Sequence, residues 1–358
     1  MIARSIANHT APLCFMPDGK LVCYQRGDIV VYDDDLELQR HSLFDNKKER
    51  LLGRSKLLSR FLRLGIRSAV AVDDSLVILS IGNRLYELNI SNGELSKGFS
   101  CGDGVRPLSF ASVINIKGVD DGIYFGGYVR NFEKKPVRIY HRKGVDNWET
   151  IYTFSQNEIN HVHTIVPDTY RKCLWIFTGD FGEASAIWRA TDHFHNVERV
   201  VCGDQKWRGC VAFATPDGLL YATDAPYAKN HICLLRNDGT LTNVGVLSGS
   251  CIYGCQWKDK YVFSTAVEAD GRNETTLRLL FGWKKGAGIQ DYYARIYLGD
   301  INNGFSEAYR EKKDILPFIF QFGVFKFPQG LNDSDTLFFQ PVATHKNDLC
   351  LMGLNVNE

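Results

Sequence analysis

His161 and His163, one residue apart, open the apolar run HVHTIVPD, and the next run, KCLWIFTGD, ends on Asp180 with Glu183 three residues on. Imidazoles titrate nearest to neutral pH, so this grouping of rings and acids could move protons. Asp224 and Glu268 end runs of the same kind, at intervals of 44 residues from Asp180. Hydrolysis of a glycosidic bond needs two carboxylates, one as acid and one as base or nucleophile, and Asp180, Glu183, Asp224 and Glu268 are the candidates. Elimination on a uronic acid needs a cation beside the substrate carboxylate and a group that takes the neighbouring proton. Arg106 or Arg208 could supply the first, and His161, His163, Tyr128 or Tyr227 the second. Asn131, Gln205 and Gln321 complete the polar set as substrate-binding side chains. No cofactor is demanded by these residues, although His-X-His with carboxylates is also a donor set for a divalent metal.

These residues must be brought together by repeated elements. Apolar runs of four to eight residues alternate with Asp-Gly, Asn-Gly, Gly-Asp and Asp-Asp turns, as in ATPDGLLYATD and FMPDGKLVCYQRGDIVVYD. A period of about 40–50 residues with about four strands per unit is the pattern of a β-propeller. Seven blades are expected, starting near residues 12, 66, 108, 161, 207, 251 and 321, in one all-β domain over 1–358. The last blade lacks a fourth strand, which the N-terminal IARSIA can supply. In a propeller blade the start of the first strand and the end of the second share one edge. Arg106, His161, His163, Gln205, Arg208 and Gln321 occupy first-strand starts. Tyr128, Asn131, Asp180, Glu183, Asp224, Tyr227 and Glu268 occupy second-strand ends, so all should ring one mouth of the channel. The competing explanation for any one acid is a turn former that bonds its own backbone.

One segment departs from the repeat. In NKKERLLGRSKLLSRFLRLGIR, residues 46–67, leucines fall near helical spacing and Lys47, Lys48, Arg50, Arg54, Lys56, Arg60 and Arg63 take the other face. Such a helix can touch an anionic membrane surface peripherally, or pack on the propeller with a solvated basic face. The formal net charge is +1, which argues against nucleic acid as a partner. The ten cysteines form no CxxC pair, and most sit in apolar runs as buried thiols. MIARSIANHTAPLCF has no apolar core of signal-peptide length. Together these features point to a cytoplasmic protein.

The stretches IYHRKGVDNWETIYTF and IWRATDHFHNVERV resemble worn copies of the Asp-box of sialidase-type propellers, with Trp148 and Asp192 persisting in different copies. More broadly, YFGGYVRN, HVHTIVPDTY, TGDFGEASAIW, GDQKWR, YATDAPYAKN and FQFGVFKFP make residues 50–330 resemble a bacterial Asp-box-like (BNR-like) propeller family associated with polysaccharide gene clusters. That resemblance implies a propeller and a carbohydrate context, without a shared reaction. The chain departs from the pattern at Gly127, where an acid is expected, and shows no sialidase tyrosine nucleophile or arginine triad.

Three functions are open on these residues. The first is an enzyme, hydrolase or lyase, that cleaves or modifies an acidic glycan or surface-polysaccharide sugar; ulvan lyases place such chemistry on propellers. The second is a non-catalytic propeller that binds a carbohydrate or a protein. The third is a metal-dependent hydrolase of the lactonase type. No phosphate-binding loop and no Gly-x-Ser-x-Gly elbow is present.

Overall fold

The short turn-punctuated runs form strands because aromatic and β-branched residues fill a pleated, half-buried surface. The computed structural model describes residues 2–43, 55–270 and 281–355. They form an all-β, seven-bladed propeller of antiparallel sheets. First strands start at Thr10, Ile66, Ala111, His161, Gly209, Cys251 and Val324, within three residues of the positions expected from the repeat. Six sheets have four strands; the sheet of Ile66–Ala71, Leu76–Ile81 and Arg84–Asn89 has three. Its fourth place is taken by bridges of Leu88 to Leu95 and Leu85 to Phe99.

The chain divides into two compact units. The first contains residues 1–66, 225–230 and 245–358. Here the N-terminal strand Ile2–Ala7 pairs antiparallel with Leu351–Asn355 and completes the last blade, as IARSIA led one to expect. The second contains residues 67–224 and 231–244. Its blades pack face to face, for instance Val113, Ile139 and Phe154 against Leu174, Ile176 and Trp188. Trp148 and Asp192, the residues that carry the resemblance to an Asp-box, serve packing and turn geometry. Trp148 is 8% exposed and its ring meets Phe99, Phe110 and Phe125. Asp192 opens a short 3-10 turn with left-handed backbone.

Four of the innermost strands carry a β-bulge near their start. The register skips one residue at Leu13, His163, Cys210 and Ile252. A bulge bends its strand and re-aims the extra side chain. In the second unit this re-aims His163 and Cys210.

The basic segment differs from the helix expected over 46–67. The helix, α1, spans Lys56–Phe61, with Ser55 as its N-cap; residues 44–54, including Lys47, Lys48, Arg50 and Arg54, lie outside the described residues. Arg60, expected on a solvated face, is 3% exposed. Its guanidinium pairs with Asp314, with Asp348 at 3.2 Å, and donates to the Phe320 carbonyl. Two partly buried acids thus draw this cation inward and dock the helix on its own unit. Among the described residues no helix is long and apolar enough to cross a membrane.

Removing one partner from a buried ionic network strands the other charges, at about 3–5 kcal/mol. Arg60→Met should therefore lower the free energy of unfolding by about 3–5 kcal/mol, measured by denaturant titration. A change within error would mean that this network does not hold the helix.

Candidate functional site

Strand β13 (His161–Asp168) begins with both histidines, and β14 (Cys173–Gly179) delivers Asp180 immediately after its last residue. His161 is paired with Gly179 across the two strands. The bulge at His163 swings its ring beside that of His161, with centroids 4.9 Å apart. Both rings are buried, at 5% and 2% exposure. Their Nε2 atoms lie 3.0 Å apart, and Asp180 Oδ1 is 3.3 Å from the first and 3.4 Å from the second. Each Nδ1 faces a backbone carbonyl, Val129 O at 3.1 Å for His161 and Gly209 O at 3.2 Å for His163. A carbonyl only accepts, so both Nδ1 atoms carry a proton, and in the neutral form a ring turns an Nε2 lone pair toward Asp180. Burial favours that neutral form for His163, holding it below the usual imidazole pKa.

The next blade supplies the counter-charge. Strands β17 (Gly209–Thr215) and β18 (Gly218–Thr223) place Arg208 just before the first and Asp224 just after the second. One Arg208 nitrogen sits 3.2 Å from Asp180 Oδ1 and 3.1 Å from Asp224 Oδ2. Burial pushes the Asp180 carboxyl up, while the Arg208 charge beside it draws it down. Cys210, the bulge residue, donates to Asp224 Oδ2 at 3.4 Å. Asp224 Oδ1 is buried with no hydrogen-bond partner among the described residues, as is Gln205 Oε1. The Phe181 ring, half exposed, lies 5.2 Å from the Arg208 guanidinium carbon. The Tyr128 ring lies tilted against that of His161, centroids 4.4 Å apart. Burial, then the charges of Cys210, Asp180 and Asp224, pushes its phenol well above the usual range.

His161, His163, Asp180, Arg208, Asp224 and Tyr128 are therefore brought together, as the phase of the repeat implies. Gln205 joins them by donating to the Asp180 carbonyl at 2.9 Å. Arg106 contributes through its backbone, bridged to Tyr128. Asn131 spends its side chain on Lys135 and the Asn160 carbonyl, which makes it a loop clamp. Glu183 is exposed in a 3-10 turn and meets Cys202 and Arg199 on the outer strand of its blade. Glu268, Tyr227 and Gln321 belong to the other unit. Glu268 and Tyr227 are half-buried there, and Gln321 donates to the Arg60 carbonyl at 3.3 Å.

Strand register explains the departure at Glu268. The residue after the second strand is Asp180 and Asp224 in blades four and five, but β22 (Lys260–Thr265) ends one residue before Ala266, which holds that place in blade six. Gly127 holds it in blade three.

Three contributors are not evident from residue type. Asn160 accepts the Asp180 backbone N–H at 3.1 Å and fixes that carboxylate's approach. Cys210 enters through its bulge. Gly179 gives the His163 ring its room: a Cβ there would lie 2.3 Å from the imidazole Cε1. Only the position of Asn160, next to His161, carried a signal in the sequence. The Gly179–Asp180 peptide is cis.

Several solved structures share this architecture. An oligogalacturonate lyase in complex with manganese superposes with a TM-score of 0.61 at 10% identity, covering 99% of this chain and 93% of that one. The AfRom2 CNH domain gives 0.56 at 6% identity, covering 100% of both chains. The Myceliophteria thermophila Cps50 (Swd1) β-propeller domain gives 0.55 at 10% identity, covering 99% of this chain and 100% of that one. No protein-family model matches the chain, and no curated protein sequence matches it. At these identities the likeness establishes the propeller fold.

Gly179→Ala must displace the His163 ring and should cost about 1–3 kcal/mol by overpacking. The altered ring should appear as a shifted imidazole resonance in histidine-labelled NMR spectra. An unchanged His163 signal in a stable variant would contradict this packing.

Proposed function

We propose that this protein is a carbohydrate-active propeller and that the Asp180–Arg208–Asp224 cluster acts on an acidic glycan by lyase-type elimination. The observation that carries this proposal is the pairing of a cation with unused acceptors at one strand edge. Arg208 lies between two carboxylates, the Phe181 ring lies beside its guanidinium, and Asp224 Oδ1 and Gln205 Oε1 are buried without donors. Sugar hydroxyls are donors that fit such acceptors, and an exposed ring offers a face to the sugar's C–H groups. The fold-level likeness to an oligogalacturonate lyase supports the context by analogy.

The roles follow from what each group has left to give. Both imidazoles are buried and turn Nε2 toward Asp180, so neither histidine reaches the substrate as the base. Asp224 has one oxygen without a partner and takes the proton from the carbon next to the substrate carboxylate. Arg208 stands beside that carboxylate and offsets the charge that develops as the proton leaves. Tyr128 keeps its phenol proton because burial and nearby acids hold it on, and it delivers that proton to the departing glycosidic oxygen. Asp180 stays ionised and fixes Arg208 and both rings. The carbon–oxygen bond breaks and a carbon–carbon double bond forms in the new sugar end.

Acidic oligosaccharides of differing uronate content test this directly. The unsaturated product should appear as a rise in ultraviolet absorbance, and Asp224→Asn and Tyr128→Phe should each lower kcat by about 10²–10⁴-fold. Saturable binding with no product after long incubation would replace the enzyme with a sugar-binding propeller. Neither binding nor turnover of any such oligosaccharide would end the proposal.

A further inference from the structure

The proton inventory at the histidine pair leaves a deficit. His161 Nε2, His163 Nε2 and Asp180 Oδ1 converge within 3.0–3.4 Å of one another. With both Nδ1 protons given to carbonyls, neutral rings present Nε2 lone pairs to each other and to Asp180 Oδ1. Like acceptors repel at that distance unless a positive centre lies among them. Arg208 answers only in part. It reaches Asp180 Oδ1 from the side of Asp224, and two carboxylates share its single charge. The fixed charges of the cluster leave one net negative charge, which favours an added cation.

The spacing fits a particular cation. With bonds of about 2.1 Å, ligands of a tetrahedral ion stand about 3.4 Å apart, and neighbouring ligands of an octahedral ion about 3.0 Å. The three separations here fall in that range. The surroundings fit as well: ligating imidazoles characteristically give their other N–H to a carbonyl or carboxylate, which fixes the ring and the tautomer. Val129 O and Gly209 O do this for the two rings. Asp180 is held by Asn160 through its backbone N–H and by Gln205 through its carbonyl. The Asp180 side chain is 31% exposed while both rings are buried, so further coordination positions open on its side toward solvent.

We propose that His161 Nε2, His163 Nε2 and Asp180 Oδ1 form a binding site for one divalent first-row transition-metal ion, with open positions for water or an oxygen ligand. Two nitrogens and one oxygen suit zinc, iron, cobalt or manganese and disfavour calcium and magnesium, which take oxygen cages. The neighbouring grouping of His163, Cys210 and Asp224 is the less suited set, because Cys210 already donates to Asp224 and Asp224 is tied to Arg208. This site stands whether or not the substrate is a sugar.

Equilibrium dialysis of the full chain against zinc, manganese, calcium and magnesium chlorides, followed by elemental analysis, tests the site. One equivalent of zinc or manganese should bind, calcium and magnesium should not compete, and His163→Gln and Asp180→Asn should each weaken binding by at least about 100-fold. Cys210→Ala should leave the affinity unchanged. Should a variant fail to fold, histidine-labelled NMR of the unaltered protein decides the matter. Two imidazoles in the Nδ1–H form should shift together at one equivalent of zinc. No stoichiometric binding, or two rings sharing one proton and indifferent to zinc, would overturn the proposal. Binding lost in Cys210→Ala but kept in a folded His161→Gln variant would overturn it equally. Metal binding without any reaction on acidic sugars would leave this site standing and remove the lyase proposal alone.

Discussion

One carboxylate oxygen, Asp180 Oδ1, lies within 3.4 Å of both histidine Nε2 atoms and of the Arg208 guanidinium. Each of those groups is itself fixed from behind. The rings are held by carbonyls of the preceding and following blades, Val129 and Gly209, and Arg208 is held by Asp224. The oxygen is therefore the point where three consecutive blades constrain one another. Low local dielectric makes such a network costly when any member is unsatisfied. That cost supports the proposal that unused lone pairs there, and at Asp224 Oδ1, are ligand positions.

The scaffold explains how so few residues reach this point. Successive antiparallel hairpins bring the start of one strand and the end of the next to the same edge, so positions 161, 180, 208 and 224 meet although they are distant in sequence. The bulge on the innermost strands adds a residue that a regular ladder cannot aim inward. In blades four and five that residue is His163 and Cys210, both chemically active types; in blades one and six it is Leu13 and Ile252. The same backbone device thus carries an apolar side chain in some blades and a polar or titratable one in others. Fold alone does not select between them.

Much of this was legible in the residues. Turn signals at regular spacing located every blade start and the closing N-terminal strand, because hydrophobic alternation and Asp-Gly or Asn-Gly turns are local properties of the chain. The convergence of His161, His163, Asp180, Arg208 and Asp224 followed from blade phase. What stayed hidden depends on register or on partners far away. The 44-residue interval to Glu268 runs past the strand end, because β22 stops at Thr265 and the chain continues before the acid appears. Glu183 looked equivalent to Asp180 by proximity, but a 3-10 turn directs it to Arg199 and Cys202. Arg60 looked like part of a solvated face until Asp314 and Asp348, more than 250 positions on, proved to be its partners. Residue type cannot reveal such long-range pairing.

The central claim is that the three converging lone pairs of His161, His163 and Asp180 surround a metal cation. Anomalous X-ray scattering from crystals grown with zinc or manganese tests this most directly. The account predicts one strong peak bonded at about 2.0–2.3 Å to both Nε2 atoms and Asp180 Oδ1, with the Nδ1 contacts to Val129 and Gly209 intact. Electron density for the two rings in direct contact through a shared proton, with no peak between them and Asp180, would contradict it.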